Sequence, residues 1–239
     1  MSEVLTELEE RLTVELDGGP VSAIAGRAAG SSPAEATIVV AHGAGAGMEH
    51  PFMSGYTRAL NDAGFATLRF NFAYREAGRR FPDRPPAAIG AWREVVAVAT
   101  ERAAAEGRAG APIWAAGKSF GGRMASMAVA EGMAVTGLVF LGYPLHAPGK
   151  PEKPRDEHLP GITVPMLFLQ GRSDPFAIPN EQLDEVAERV GPNAVVEWIE
   201  GGNHSFEVKG AKRPAAEIGA GLAAPTAEFV RAHTDSVVE

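Results

Sequence analysis

The hydrophobic positions of the chain form short apolar runs that alternate with longer amphipathic stretches. Continuous apolar runs between turn residues are typical of buried strands, and a period near 3.6 is typical of helices. The predicted strands span residues 11–16, 21–26, 37–42, 66–72, 111–116, 137–143, 165–171 and 194–199. The predicted helices span residues 51–63, 87–106, 120–130, 180–190 and 215–233, with Pro225 kinking or dividing the last. This alternation predicts an α/β fold: a mostly parallel sheet of about eight strands with helices on both faces, in one domain over residues 1–239.

Two connections refine this prediction. Residues 17–20 join the first two strands through Asp, Gly, Gly and Pro, which predicts a hairpin at the edge of the sheet. Residues 147–164 are rich in proline and charge, and they are too few to fold as a lid domain. We therefore expect the functional site to be comparatively open.

Composition excludes several classes of function. The 239 residues carry a net charge of −8, which argues against general affinity for nucleic acid or for an anionic membrane. The chain has no cysteine, so disulfides, thiolate metal sites and cysteine nucleophiles are excluded. The acidic N-terminus lacks the features of a signal peptide, and no apolar run approaches membrane-spanning length, so we expect a cytoplasmic protein.

The most informative motif is GKSFG at residues 117–121, which follows a predicted strand and precedes a predicted helix. In this setting G-x-S-x-G forms a sharp turn that exposes the serine hydroxyl at the end of a sheet. The pattern by itself is weak, because Ser119 could equally be the N-cap of the helix. Its interpretation depends on what the rest of the chain supplies.

Two other motif interpretations fail on spacing. A phosphate-binding loop ending at Gly117-Lys118-Ser119 needs glycine at position 112, where the chain has Pro112. A dinucleotide loop starting at Gly43 or Gly45 would place Met48 or His50 at its third glycine. Neither nucleotide motif is present.

An acid and a histidine follow in positions that suit nucleophilic catalysis. A serine hydroxyl needs a base to take its proton, and the base needs a third group to orient it. Asp174 follows the strand predicted at 165–171, and His204 follows the strand predicted at 194–199. Because parallel strands bring their carboxyl ends to one edge, Ser119, Asp174 and His204 are predicted to meet there as nucleophile, orienting acid and base.

The same edge supplies candidate donors for an oxyanion, which needs two preorganised N–H groups. One is the backbone N–H of Phe120, at the positive end of the helix that follows Ser119. The other lies in the loop after the strand at 37–42, where small residues let the backbone approach a ligand. We assign it to Ala44, with Gly45 as the alternative.

The remaining polar candidates have simpler interpretations. We expect His42 to shape the oxyanion loop, whereas His50 precedes a helix start and either faces the site or only lies at the helix entrance. Lys118 could assist an anionic substrate or point elsewhere. The arginines at 75, 79, 80 and 84 could bind a carboxylate or phosphate, but their pattern favours a solvated loop. The histidines show no metal-binding spacing, so we predict no metal and no cofactor.

At this point the chain resembles the α/β-hydrolase superfamily over nearly its whole length. It looks like the lidless, dienelactone-hydrolase-like branch, whose members order the triad as serine, acid and histidine. More narrowly, it is similar to the group with a testis-expressed hydrolase-like protein and the third subunit of the non-specific-lethal histone acetyltransferase complex. The motifs that carry this match are HGAG at 42–45, HPFM at 50–53, GKSFGG at 117–122, GYPLH at 142–146 with PGK at 148–150, and NHSF at 203–206.

The resemblance implies a serine hydrolase that cleaves a small ester or related acyl substrate through an acyl-enzyme. Dienelactone hydrolases use cysteine where this chain has Ser119, so their particular substrate is not carried over. The alternative hypothesis is a catalytically weak or inactive hydrolase fold that serves as an interaction module, since folds do not determine function. The sequence leaves open the acyl and leaving groups and the oligomeric state.

Overall fold

The computed structural model describes residues 4–30 and 32–234, and within them the chain forms one eight-stranded sheet. The N-terminal strands are β1 (Glu9–Val14), β2 (Val21–Gly26), β3 (Thr37–Ala41) and β4 (Ala66–Phe70). The later strands are β5 (Ile113–Lys118), β6 (Gly137–Leu141), β7 (Met166–Gly171) and β8 (Ala194–Ile199).

The strand order is β1-β2-β4-β3-β5-β6-β7-β8. β1 and β2 pair antiparallel as the predicted edge hairpin, β2 pairs antiparallel with β4, and every later pair is parallel. In register, Ala41 pairs with Gly117 and Lys118 pairs with Leu141, so β3, β5 and β6 end at the same edge. The predicted fold, an α/β-hydrolase sheet of about eight mostly parallel strands, is confirmed.

Helices cover both faces of the sheet. They are α1 (Pro51–Asp62), α2 (Ala73–Glu76), α3 (Pro85–Ala105), α4 (Phe120–Ala130), α5 (Glu181–Val190), α6 (Ala215–Gly221) and α7 (Ala223–Thr234). The helix predicted over 215–233 is two helices that divide at Leu222, with Pro225 in the first turn of the second. Proline is tolerated there because first-turn N–H groups have no intrahelical acceptor.

The core consists of two apolar layers, one on each face of the sheet. Trp92 of α3, together with buried residues of α4 and α5, packs against one face, where it contacts Phe70 at 5.3 Å between ring centroids. Tyr56 of α1 and Phe229 of α7 pack against the other face with Trp114 of β5. Successive strand residues thus supply opposite layers, as the pleat requires.

The first strand starts two residues earlier than predicted, at Glu9, for an electrostatic reason. The Glu9 carboxylate is buried and accepts hydrogen bonds from Arg58 of α1 at 2.8 Å and from Arg69 of β4 at 2.6 Å. Burial would raise the pKa of Glu9, but Arg58, the Thr6 backbone N–H and Arg69 lower it to about 2. A buried charge that the sequence did not single out therefore holds β1, α1 and β4 together.

Helices α1 and α6 cross at unusually short range through a pair of glycines. A Cβ on Gly55 would stand 2.0 Å from the carbonyl oxygen of Ala216, and one on Gly219 would stand 2.0 Å from that of Phe52. Real Cβ atoms do not approach backbone oxygen so closely, so both positions require glycine. This crossing forms one wall of the pocket described below.

Smaller differences lie at the ends of elements and in one missed helix. β5 runs to Lys118 and not to residue 116, because it continues to pair with β6 up to Leu141. The four-residue α2 escaped prediction, since so short a helix depends on tertiary contacts and leaves no periodic signal. The segment over 147–164 holds turns and a single 3-10 turn (Leu159–Gly161), so no lid forms there. Across the described residues, no helix has the length and apolar character needed to cross a membrane.

Candidate active site

The turn from β5 into α4 holds Ser119 in a strained backbone conformation. Ser119 has φ 48° and ψ −111°, a region that L-residues other than glycine rarely adopt. The glycines on either side make the turn possible. A Cβ on Gly117 would stand 2.2 Å from the Gly122 nitrogen, and one on Gly121 would stand 2.7 Å from the Ala41 oxygen. The G-x-S-x-G pattern thus lets α4 pack tightly behind a serine that lines a pocket.

The three side chains predicted to meet form one hydrogen-bonded chain. Ser119 Oγ lies 2.9 Å from His204 Nε2, and His204 Nδ1 lies 2.7 Å from Asp174 Oδ2. A carboxylate can only accept, so Nδ1 carries the proton and Nε2 is free to accept from the serine hydroxyl. This is the tautomer that a histidine base requires.

Asp174 is fully buried, and its carboxylate accepts three hydrogen bonds. Oδ2 accepts from His204 and from Gln170 Nε2 at 2.7 Å, while Oδ1 accepts from the Phe176 N–H at 2.9 Å. The Phe176 ring also packs against the His204 imidazole, with 4.3 Å between centroids. Gln170 and Phe176 therefore hold both the acid and the imidazole in place.

The loop after β3 is held from behind by His42 and Tyr74. His42 Nε2 accepts from the Phe72 N–H at 3.2 Å, so Nδ1 carries the proton that is donated to the Gly43 oxygen at 2.8 Å. Burial lowers the pKa of His42 to about 4, which keeps the ring neutral. The Tyr74 hydroxyl bonds the carbonyl oxygens of Gly43 and Ala44, at 3.3 and 3.1 Å. His42 thus shapes this loop, as predicted.

These groups open onto a pocket of about 520 Å³. Its polar end holds Ser119, His204 and the loop at 43–46, and its apolar end is formed by α1 and α6 through Phe52, Met53, Ala215 and Ile218. A larger cavity, of about 660 Å³, lies at the opposite end of the strands among charged residues such as Arg27, Arg102 and Arg108. The size of a cavity therefore does not identify the candidate active site, because Ser119, His204 and Asp174 do not line the larger one.

The sequence left the roles of Lys118 and His50 open. Both residues line the pocket that contains Ser119 and His204. The Lys118 ammonium donates to the backbone oxygen of His204 at 2.5 Å, a contact that sequence spacing gave no means to foresee. His50 caps α1 by accepting from the Phe52 N–H at 3.2 Å. Burial and the neighbouring Lys118 charge lower the pKa of His50.

The other candidate residues lie away from the hydrogen-bonded side chains of Ser119, His204 and Asp174. Arg75, Arg79, Arg80 and Arg84 are exposed, which confirms the prediction of a solvated loop. His146 and His158 are tied to local structure, through the Ala147 oxygen and the Ser126 hydroxyl respectively. In the part of the chain that the structure describes, no group of three or more acidic or histidine side chains is placed to hold a metal.

Sequence reasoning missed Gln170, Tyr74 and Phe176, which support the site without lying in its motifs. Gln170 offered one signal: it is a polar residue inside an otherwise apolar strand, four positions before Asp174. Buried polar groups need partners, so such a residue points to a nearby charge. Tyr74 and Phe176 carried no comparable signal.

The sheet order, the helices on both faces and the polar groups at the carboxyl ends of β3, β5, β7 and β8 together define a class of protein. The alpha/beta hydrolase domain family matches residues 34–230, and the chain belongs to that family.

Solved structures show the same fold at low sequence identity. The chain is similar to a serine hydrolase without a lid from Xanthomonas campestris, with 18% identity, a TM-score of 0.68 and 97% of each chain covered. It is also similar to a dienelactone hydrolase from Anabaena variabilis, with 19% identity, a TM-score of 0.74 and 94% of this chain and 97% of that one covered. An esterase from Pyrococcus furiosus shares 16% identity at a TM-score of 0.73, with 98% of each chain covered.

Proposed function

We propose that this protein is a serine hydrolase that cleaves a small ester or related acyl substrate through an acyl-enzyme. The observation that carries the proposal is the chain from Ser119 through His204 to Asp174, with contacts of 2.9 and 2.7 Å at the wall of an accessible pocket. A strained serine, a histidine in the right tautomer and a buried acid are what activation of a hydroxyl requires.

In the first step, Ser119 Oγ attacks the substrate carbonyl carbon while His204 Nε2 takes the hydroxyl proton. The carbon–oxygen bond to the leaving group then breaks, and His204 returns the proton to the departing alcohol. A water molecule repeats the sequence on the acyl-enzyme and releases the acid. Asp174 stabilises the imidazolium that forms twice in the cycle.

The N–H groups of Phe120 and Ala44 hold the oxyanion in this proposal, with Gly45 as the alternative to Ala44. Phe120 is the first residue of α4, where N–H groups have no intrahelical acceptor and the helix dipole favours negative charge. Among the described residues, neither the Phe120 nor the Ala44 N–H donates a hydrogen bond to another protein group. Tyr74 and His42 both bond the Gly43 carbonyl oxygen, which belongs to the same peptide unit as the Ala44 N–H, and so limit rotation of that peptide.

The shape of the pocket supports a small substrate. It holds about 520 Å³, at the lower end of the range for ligand sites, and no lid encloses it. We therefore infer a preference for short, soluble esters and no interfacial activation. Names among similar structures, which include an esterase from Pyrococcus furiosus and a cold-adapted esterase from an Arctic intertidal metagenomic library, support ester chemistry.

Covalent labelling with a fluorophosphonate tests the proposal without knowledge of the substrate, because the probe reports serine nucleophilicity. Wild-type protein should be labelled, Ser119→Ala should not, and His204→Ala should be labelled far more slowly although it retains the hydroxyl. Ser126→Ala is the matched control, because Ser126 lies 2.7 Å from His158 Nε2 but is fully buried. We expect this variant to label like the wild type.

A series of p-nitrophenyl esters of increasing acyl length then defines the substrate range. Activity should be highest for short acyl chains, and a strong preference for emulsified long-chain triglyceride would contradict the open-site interpretation. Folded wild-type protein that takes up no fluorophosphonate would favour the interaction-module hypothesis. The narrower similarity to the testis-expressed and non-specific-lethal group rests on the quoted motifs alone.

A further inference from the structure

The residue immediately before Ser119 reaches back to the histidine loop. Lys118 is the last residue of β5, and its Nζ donates to the backbone oxygen of His204 at 2.5 Å. One hydrogen bond therefore joins the turn that holds the nucleophile to the main chain of the proposed base. It is separate from the Ser119–His204 side-chain contact.

The His204 loop has a long distance to cover. It follows β8, the last strand of the sheet, yet it must reach Ser119 at the end of β5, with β6 and β7 between them. At its start, the Ser173 N–H bonds the Gly202 oxygen at 2.9 Å. Its tip is stabilised internally by Asn203, whose side-chain oxygen accepts from the N–H groups of Ser205 and Glu207. These contacts shape the loop but do not tie His204 itself to the serine turn.

The site is built to hold the lysine head group. Its ammonium lies 5.4 Å from the ring centroid of Phe206 and 6.0 Å from that of Phe52, within the range of cation–π attraction. Gly142 has φ 74°, and a Cβ there would stand 3.3 Å from Lys118 Nζ and 3.6 Å from His204 Nδ1. A side chain at this position would crowd the lysine head group, so glycine leaves the room that the contact needs.

We propose that Lys118 is a positioning residue, which anchors the His204 loop to the serine turn and so keeps Nε2 within reach of the Ser119 hydroxyl. This proposal rests on the proposed hydrolase function. Because Lys118 and Ser119 are adjacent in the chain, the anchor moves with the nucleophile. An error of about 1 Å in the placement of a reacting group can cost about 10²-fold in rate, so a single anchor has a measurable effect.

The charge of Lys118 gives the anchor a pH dependence. Burial lowers the pKa of Lys118 to about 8, with Asp174 opposing the shift. The titratable groups that face it are His50 at the start of α1, Asp174 after β7 and the imidazole of His204. Charge-assisted hydrogen bonds are about twice as strong as neutral ones. The anchor should therefore weaken as the pH rises through about 8, and kcat should fall with it.

The test compares wild type with Lys118→Met, and uses Lys153→Met as the control on an exposed lysine. We expect Lys118→Met to lower kcat and the fluorophosphonate labelling rate by about 10- to 10²-fold, with a much smaller change in KM. The alkaline decline in kcat should be absent from this variant. Its Tm should not fall, because the substitution removes a buried charge. Lys153→Met should match the wild type throughout.

Rescue separates positioning from a loss of structure. The chain has no cysteine, so a single Lys118→Cys substitution can be alkylated with 2-bromoethylamine to restore an ammonium at almost the same reach. We expect the alkylated protein to regain most of the lost kcat, and its alkaline decline to move to lower pH because the thioether makes the amine less basic. Lys153→Cys, alkylated in the same way, should be unaffected.

The outcomes distinguish this proposal from the one on which it rests. If the wild type is not labelled at all, the proposed hydrolase function is wrong, and so is the positioning role of Lys118 that depends on it. If the wild type is labelled and Lys118→Met is labelled as quickly, only the anchor is wrong. A parallel loss of Tm and activity that alkylation of Lys118→Cys does not reverse would also overturn the positioning role.

Discussion

Two serine–histidine pairs lie along the same helix, and only one of them has the surroundings of a reactive site. Ser119 occupies the N-cap position of α4 without a capping side-chain hydrogen bond and lies 2.9 Å from His204, while Ser126 lies within α4 and is 2.7 Å from His158. Judged by distance alone, the second pair is the better hydrogen bond. A contact between the two residue types is therefore no indication of catalysis.

The pairs differ in what surrounds them. His204 donates its Nδ1 proton to Asp174, and its side chain is 23% exposed at a pocket wall. Ser126 is fully buried, and its hydroxyl also bonds the Arg123 oxygen at 2.8 Å in the preceding turn. Burial, followed by the nearby Arg123 charge, lowers the pKa of His158 to about 4. A reactive pair needs an orienting acid and an accessible hydroxyl, and the Ser126 pair lacks the access.

The largest expected effect is a loss of turnover that follows removal of the Ser119–His204 pair and does not follow removal of the Ser126–His158 pair. Removing Ser119, His204 or both should each lower kcat for a short p-nitrophenyl ester by about 10⁴-fold or more, since such residues act as a unit. The double variant Ser119→Ala/His204→Ala should be no slower than either single variant. Steady-state kinetics on purified proteins measures this, with Ser126→Ala/His158→Gln as the matched double control. Losses that add, or a control as slow as the Ser119 variant, would contradict the assignment.

The next largest effect is expected when Asp174, the orienting acid, is replaced. Asp174→Asn keeps the shape of the site but favours the wrong imidazole tautomer, so we expect kcat to fall by about 10³- to 10⁴-fold. KM should change little, because Asp174 is buried behind the histidine. Initial rates across a substrate series give both constants. An Asp174→Asn enzyme with nearly wild-type kcat would show that His204 needs no acid.

Gln170 should have a smaller effect, because it acts on the substrate only through Asp174. Gln170→Leu removes the 2.7 Å bond to Oδ2 but leaves the Phe176 N–H on Oδ1, so we expect a loss of about 10-fold in kcat. The fluorophosphonate labelling rate should fall by the same factor. Equal rates in Gln170→Leu and wild type would mean that the Phe176 N–H alone holds the acid.

The smallest effect concerns the buried pair. The pKa of His158 is lowered to about 4, so the unfolded chain binds a proton that the folded chain does not between about 6.5 and 4. This histidine therefore makes the folded state less stable as the pH falls through that range. His158→Gln cannot take up the proton, and any stability advantage of the wild type over it should shrink on acidification. Tm values of the two proteins at pH 7 and pH 4.5 test this, and a constant difference would contradict the shift.

The sequence sufficed to locate Ser119, Asp174 and His204 because each follows an apolar run, and parallel strands bring such positions to one edge. It did not reveal the Lys118 contact, since the direction of a side chain beyond the end of a strand depends on the loop it meets. It did not reveal the contacts of Glu9 for a related reason: its partners Arg58 and Arg69 are remote in sequence. Pairing between charges that are distant in sequence does not show in the hydrophobic pattern of the chain.

The crossing of α1 and α6 has a consequence for how the substrate range of this protein can change over evolution. Because Gly55 and Gly219 bring the two backbones into contact, the helices cannot move closer, and any larger residue at either position forces them apart. In the proposed hydrolase, change in the acyl pocket is therefore restricted to the side chains that the same helices present to it, such as Met53, Ala215 and Ile218. Met53 and Ile218 are also buried in the core beside the crossing, so exchanges there must conserve side-chain volume.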